Sequence, residues 1–360
     1  MSQPLQTRLK LLYTRAGKDV IVKDDFFQTE HTEKGADITE SILPDLLSFT
    51  YDDKESGEAD EISITLKDNT GKWAGTWKPN GGEHIRAFIL PGDVDKAKKT
   101  LPCGKFFVDD LSTSGGSSGR TFTMKAVSIP LDKVCRRKVK SQSWNRSYLK
   151  DIAEKIAKES GMSLLWDSDE NPKYDRLTQK RESDLKFLSR LCEDAGLSIK
   201  VTDGKIVIFS QKKYESEKPV MTVTPGMSDI MEWNFESAQS ETYKSCTVEW
   251  TSVLDHSSMK YTFYDPDVDD NGQEYNMKLG VVSYVDAGRR AEKKLRELNS
   301  RKVTGSMTLI GNILLSAGSV IACKGFGSFD GKFIIEKASH SISSSGYTTA
   351  IDLRRVNSNY

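Results

Sequence analysis

The amino-acid sequence predicts an α+β protein that is mainly β: two similar small antiparallel β-barrel domains with an α+β insert between them. Three observations carry that expectation. Short apolar runs at period two, bounded by Gly- and Asn-rich turns, fill both halves and describe half-buried antiparallel strands. The middle of the chain changes to apolar spacings of three and four, the period of amphipathic helices. A stretch beginning at Gly104, GKFFVDDLSTSGGSSGRT, is echoed from Gly331 as GKFIIEKASHSISSSGYT. The boundaries that follow are residues 1–130 for the first β-barrel domain, 131–219 for the insert and 220–360 for the second.

In the first domain Ile62, Ile64 and Leu66 alternate with Ser63 and Thr65. Ile85, Ala87 and Ile89 form a second run, Phe106 and Val108 a third, and Phe122, Met124 and Ala126 a fourth. Turn clusters at 67–72, 78–83 and 112–119 supply the glycines that tight reversals need. In the insert, Leu149, Ile152, Ala153 and Ile156 share one helical face, and Gly161 stops that helix. A second helix opens with Ser183 as N-cap and Asp184 in its positive first turn. Leu185, Leu188, Leu191, Cys192 and Ala195 form its apolar face, and Gly196 is its C-cap. Leu197, Ile199 and Val201 then lead into Asp203-Gly204, a dipeptide suited to a type I′ turn, and the run from Ile206 to Phe209 returns. Residues 211–219 read as an exposed linker.

In the second β domain, blocks at 246–250, 260–264, 306–310, 319–323, 332–336 and 348–353 are rich in β-branched and aromatic residues. One helix interrupts them, with Ala287, Ala291, Leu295 and Leu298 on one face and an Arg- and Lys-rich face that reads as solvated surface.

The 360 residues include 52 Lys plus Arg and 52 Asp plus Glu. No summed charge draws nucleic acid or an anionic membrane from a distance, so partners must be recognised by local shape and pattern. No window approaches the roughly 18 apolar residues of a membrane span, and the first residues lack the apolar core of a secretory signal, which reads as a cytosolic product. Cys103, Cys135, Cys192, Cys246 and Cys323 are odd in number and widely spaced, and read as buried free thiols. A hydrophobic fraction of 37% suits thin domains with much polar surface.

Aligned without a gap, Gly104 meets Gly331, Lys105 meets Lys332, Phe106 meets Phe333, Asp109 meets Glu336, Gly119 meets Gly346 and Thr121 meets Thr348. Upstream, SITLKDN (63–69) matches SMTLIGN (306–312), and 85–89 has a looser counterpart in 320–324. Hairpins rich in Ser, Gly and β-branched residues also resemble one another by composition alone. Three matched blocks in the same order favour the other reading, two copies of one β domain. Three such chains around an axis would set six similar domains in a ring.

The stretches ADEISITLKDN (59–69), GKFFVDDLS (104–112), the helix and hairpin of 181–209 and the tail of 318–356 together resemble phage baseplate hub proteins of the late control gene D family. That family is related to the hub part of VgrG proteins and to hubs of phage-tail-like bacteriocins, the tailocins. The resemblance implies a non-enzymatic structural protein of a virion or tail-like contractile injection particle, assembled in the bacterial host cytoplasm. It implies a homotrimer whose two tube-like domains per subunit form a pseudo-sixfold ring. The ring would join the tail tube, or a tube-initiator protein, to the central spike, in contact with other baseplate proteins. The expected spike is a separate polypeptide, because the chain stops soon after the second barrel. No membrane, no cofactor and no sequence-specific nucleic acid are expected as partners.

Some residues carry chemical signals that compete with that reading. Asp267, Asp269, Asn271 and Gly272 open an EF-hand-like loop, but Lys278 stands where the bidentate Glu belongs, so 265–278 reads as an acidic hairpin loop. The similar run 167–172 lacks the glycine. Glu58, Asp60 and Glu61 read as exposed carboxylates, with nothing to single out a pair for glycoside hydrolysis. His31, His84, His256 and His340 stand apart without HExxH or a Cys-His arrangement. His340, aligned with Thr113, reads as a packed or solvent-facing strand residue. Residues 115–119 form a turn rather than a phosphate cradle. The basic run 135–146 reads as a connector into the insert. No catalytic, cofactor-binding or metal-ligating residue is assigned, and the competing function is a tail-associated peptidoglycan hydrolase or glycan-binding protein.

Overall fold

A computed structural model describes residues 7–14, 36–79, 83–90, 100–117, 119–129, 138–238, 242–252, 256–266, 268, 272–280 and 283–356. The first part holds β1 (Arg8–Thr14), β2 (Ala36–Asp37), the short helix α1 (Thr39–Ile42), β3 (Leu46–Lys54), β4 (Glu61–Lys67), β5 (His84–Leu90), β6 (Leu101–Gly116) and β7 (Gly119–Val127). The insert follows with β8 (Lys140–Tyr148), α2 (Leu149–Glu159), β9 (Ser163–Asp167), β10 (Lys173–Glu182), α3 (Asp184–Ala195), β11 (Ser198–Thr202) and β12 (Lys205–Phe209). The helix α4 (Gln211–Ser216) leads to β13 (Met221–Val223) and β14 (Ile230–Ser237). Then come β15 (Tyr243–Thr251), β16 (Ser258–Tyr264), β17 (Gln273–Lys278), α5 (Tyr284–Asn299), β18 (Val303–Ile310), β19 (Val320–Cys323), β20 (Gly331–Ser343) and β21 (Gly346–Arg355).

The fold is mainly β, and its largest feature is one 13-stranded sheet in the order β14-β18-β21-β20-β3-β4-β7-β6-β5-β1-β2, with β19 on β20 and β13 on β19. Within it the run β3-β4-β7-β6-β5 is repeated as β14-β18-β21-β20-β19, residue pair for residue pair. Phe107 faces Val127 and Gly116 faces Gly119, with a register break between Val108 and Asp110. In the other copy Ile334 faces Arg354 and Ser343 faces Gly346, with the break between Ile335 and Lys337. The bulged residues are therefore Asp109 and Glu336, the pair the sequence alignment matched. Gly119 and Gly346, which close the two hairpins, share a φ of 111° that disfavours any side chain.

The match extends further than the sequence reading took it. Ser63 faces Lys125 as Ser306 faces Asp352, and the breaks at Leu46/Ser48 and Ile230/Glu232 also coincide. This makes β14 the counterpart of β3, with Trp233 in the place of Phe49 and Phe235 in the place of Tyr51. The looser block is corrected by one residue, since the ladders set Ile85 against Ile321 rather than Val320. The copies diverge at their outer edge: β1 is antiparallel to β5, whereas β13 is parallel to β19.

Each copy has its own core, one around Phe49, Ile64, Ile85, Phe106 and Met124 and one around Phe235, Met307, Ile321, Phe333 and Ile351. In the insert, α2 and α3 pack on the β11-β12-β9 sheet through Ile152, Ile156, Leu188, Leu191 and Ile206. The caps of α3 fall where expected: Ser183 Oγ accepts from the Lys186 N–H, and Gly196 has φ of 83°. Asp203 and Gly204 both have positive φ, 46° and 71°, as a type I′ turn requires.

Several expectations need correction. The blocks at 246–250 and 260–264 lie outside the large sheet, in a separate β16-β15-β17 sheet covered by α5 and closed by Cys246, Val248, Trp250, Ala291 and Leu295. The basic run 135–146 is not only a connector, because from Lys140 it is strand β8, paired with β10. The linker 211–219 contains α4, whose Glu215 is only 5% exposed. The charged face of α5 is not simply solvated either, as Arg296 reaches Glu215 and Arg289 lies 3.4 Å from Glu170. Cys103, Cys192, Cys246 and Cys323 are buried free thiols, and Cys135 lies outside the described residues.

Candidate functional site

The two copies meet edge to edge along β3 and β20, from Lys337 opposite Lys54 to Ser343 opposite Ser48. Strand alternation turns Ala338, His340, Ile342, Asp53, Tyr51 and Phe49 inward and leaves Lys337, Ser339, Ser341, Lys54, Asp52 and Thr50 on the other face. At the centre of the seam His340 is fully buried. Its ring stacks on Tyr51 at 5.9 Å and on Tyr347 at 6.0 Å, and its Nδ1 lies 2.7 Å from the Tyr347 hydroxyl. Burial pushes its pKa down to about 4, so the ring is neutral near pH 7. On the outer face Ser339 donates to Asp52, and Lys337 pairs with Asp52 at 3.4 Å.

Two buried ionic clusters tie other elements to this seam. Lys200 on β11 of the insert bonds Asp53 and lies 3.1 Å from Asp60. Asp53 also accepts from the Ala317 N–H at 2.8 Å, so it touches both copies and the insert at once. Burial raises the Asp60 carboxyl although Lys200 opposes it; burial lowers the Lys200 ammonium, but Asp53 and Asp60 outweigh that and hold it above its usual value. In the second cluster Arg354 on β21 lies 2.6 Å from Glu215, 3.1 Å from Glu336 and 3.4 Å from Glu55. Arg296 is the second guanidinium on Glu215. Three carboxylates thus face two guanidiniums. Burial raises Glu55 to about 7, with Arg354 opposing and Glu336 and Glu215 adding to the rise.

Among the described residues the histidines singled out by the sequence stand apart from one another, and Glu58, Asp60 and Glu61 pair with different lysines. His84 lies beside Phe107, His256 has φ of 55°, and His31 lies outside the described residues. Asp60 is buried with Lys200 rather than exposed, whereas Glu58 bonds Lys54 at the surface and Glu61 lies 3.7 Å from Lys125. Of the EF-hand-like loop, Asp267, Asp269 and Asn271 lie outside the described residues, and Lys278 is in β17 opposite Glu249. Asp167, from the similar run 167–172, accepts from Lys213 and Tyr214, which lowers its pKa. Among the described residues no group of three His, Cys, Asp or Glu is arranged to hold a metal ion. A cleft of about 820 Å³ is lined by residues that include Lys212, Glu215, Asn299 and Lys332, and an apolar hollow of about 290 Å³ by residues that include Ile38, Leu66, Trp73 and Phe122.

The arrangement has a mechanical consequence. It welds like units side by side, with an insert braced across the weld. Sequence reasoning missed its residues because Glu55, Asp60 and Glu215 look like ordinary loop carboxylates; the one available signal was the bulge acid shared by Asp109 and Glu336.

The phage tail baseplate hub (GPD) family matches residues 107–346, more than half of the chain. A protein named "Probable baseplate hub protein" of Escherichia phage P2 is 29% identical over 223 residues, covering 61% of this chain and 55% of that protein. The chain spans just over half the length of the curated relatives it matches. The fold is shared with a tail protein from Neisseria meningitidis MC58, with TM-score 0.69 and 13% identity over 97% of each chain. It is shared less closely with an E. coli component of the type VI secretion system, with TM-score 0.57 and 14% identity over 88% of this chain and 74% of that one. The chain belongs to the phage tail baseplate hub family.

Proposed function

We propose that this hub is a structural, non-enzymatic symmetry adaptor. Three chains, each contributing two barrel-like β units, form a pseudo-sixfold ring that joins the tail tube to the central spike and contacts other baseplate proteins, after assembly in the bacterial host cytoplasm. The observation that carries this reading is the seam between β3 and β20, a contact in which one copy's hairpin strand meets the other copy's first strand. Such a contact joins two unlike surfaces of like units, and contacts of that kind build rings when the rotation closes. The shared fold with a secretion-system component supports a place in a tail-like particle.

The test is the mass of the full chain in solution, alone and co-expressed with the neighbouring spike protein, with electron micrographs viewed down the particle axis. A trimer with six lobes and outer bumps is the expected result. A strict monomer in both preparations, or release of peptidoglycan fragments by the pure chain, overturns the reading in favour of a hydrolase.

A further inference from the structure

The seam inside the chain has a counterpart whose two halves do not meet within one chain. By the repeat, residues 110–116 of β6 stand where 337–343 of β20 stand, and 232–238 in and just after β14 stand where 48–54 of β3 stand. We propose that residues 110–116 pair antiparallel with residues 232–238 of a second copy of this chain, in the register the internal seam displays. The proposal rests on the ring reading and names its inter-chain contact.

Exposure supports it. His340 and Phe49 in the internal seam are fully buried, whereas their counterparts Thr113 and Trp233 are exposed, Trp233 by 49%. Residues 110–116 are paired on one side by β7, and among the described residues no strand covers the other side; β14 is the last strand of the sheet. A long open edge carrying Trp233 and Met231 is a site for strand addition unless another chain covers it.

The transferred register makes chemical sense. It sets Ser112 opposite Glu236, repeating the Ser339 hydroxyl that donates to Asp52. It sets Thr113 opposite Phe235 where His340 faces Tyr51, and Gly115 opposite Trp233 where Ile342 faces Phe49. The last exchange keeps the pair filled, with the larger ring lying over a glycine that has no side chain. Asp110 replaces Lys337, so the Lys337–Asp52 ion pair is not repeated, and the inter-chain ladder rests on backbone bonds and packing.

The experiment mixes two full-length single variants, Ser112→Cys and Glu236→Cys, under mild oxidation, with the mass of the particle measured on the same samples. Directly opposite side chains lie within disulfide reach, and positions two residues away do not. The expected result is a linked dimer of one chain of each variant, at least tenfold more abundant than in the shifted mixture of Ser112→Cys with Asn234→Cys. A trimer in which the shifted mixture links better, or neither links, overturns this register and leaves the ring intact. Absence of any trimer overturns the ring reading and this contact with it. All three positions are exposed, so the substitutions leave the fold in place.

Discussion

His340 makes the joint between the two copies sensitive to acid. Its buried ring titrates from an ordinary value of 6.5 down to about 4. Between those two values the unfolded chain binds more proton than the folded one, so the stabilisation is complete above pH 6.5 and is lost as pH falls through 4. The shift corresponds to about 3 kcal/mol. Glu55 acts in the opposite sense: its carboxyl rises from 4.5 to about 7 through burial, so its stabilisation is complete below pH 4.5 and is lost as pH rises through 7. The two contributions are similar in size and largely cancel between pH 5 and 6.5, which hides both in the parent protein. Replacing His340 by Asn removes one titration while leaving the Tyr347 hydroxyl a polar neighbour. At pH 7.5 the variant should be less stable by about 1–3 kcal/mol. Relative to the parent, the variant should gain about 2–3 kcal/mol between pH 7.5 and pH 4.5, which removes or reverses the deficit, because the parent loses there a stabilisation that depends on the neutral ring. Urea unfolding at fixed protein concentration across this range measures the gap, and an NMR titration of the His340 ring measures its pKa. A gap of the same size at both ends of the range, or a ring titrating above 6, refutes the reasoning.

The ionic clusters and hairpin turns give further expectations. Arg354→Met leaves Glu55, Glu215 and Glu336 facing one another with Arg296 as the remaining guanidinium, and should cost about 3–5 kcal/mol, read as a fall in thermal midpoint at pH 7.5. Glu55→Gln should instead flatten the loss of stability between pH 6 and 8 in the same assay. Lys200→Met strands Asp53 and Asp60 without their ammonium, and limited proteolysis at 209–221 should become faster as the insert loosens. Gly346→Ala meets no atom within 4 Å and should cost only the backbone strain, about 1–3 kcal/mol. Gly119→Ala should cost more in thermal unfolding, because its Cβ would lie 2.7 Å from the Asn69 Oδ1 that accepts the Arg120 N–H.

What the sequence made legible was local. Ser183, Gly196 and Asp203-Gly204 act on backbone groups within a few residues, so their chemistry can be read without knowing the fold. The echo of Gly104 at Gly331 was visible because a bulge and a tight turn each demand particular residues at fixed spacing. The match between β3 and β14 was hidden, since Phe49 with Trp233 and Tyr51 with Phe235 keep character without identity. Adjacency was lost as well: six residues separate β3 from β4, whereas the whole of β15, β16, β17 and α5 separates β14 from β18. The strands near 246 and 260 look like any others, and membership of one sheet rather than another is decided by partners far along the chain. The same reason hid the ion clusters, because Lys200 and Arg354, which pair with Asp60 and Glu55, lie far along the chain from them.

The repeat also carries a direction. Ser343, beside one hairpin turn, faces Ser48 at the start of β3; Leu46 faces Leu66 at the end of β4; and Lys67 faces Thr121, beside the other hairpin turn. Both turns therefore lie at the same end of the sheet, and the two copies stand the same way up. A two-fold repeat across antiparallel edge strands would place them at opposite ends. The arrangement found is the one a rotation about an axis running along the strands produces, and it is the arrangement a ring needs. The additions obey the same polarity. The insert leaves after Val127, opposite Glu61, and the β15–α5 unit leaves and returns beside Ser237 and Val303, the matching end of the second copy. There the two additions touch, with Lys212 3.3 Å from Glu292 and Lys293 donating to the Cys192 carbonyl at 3.5 Å. Each chain thus carries both additions at one end of the sheet and both hairpin turns at the other before any assembly takes place. A ring of chains standing the same way up inherits two unlike faces, and a part that joins two different neighbours along one axis requires that asymmetry.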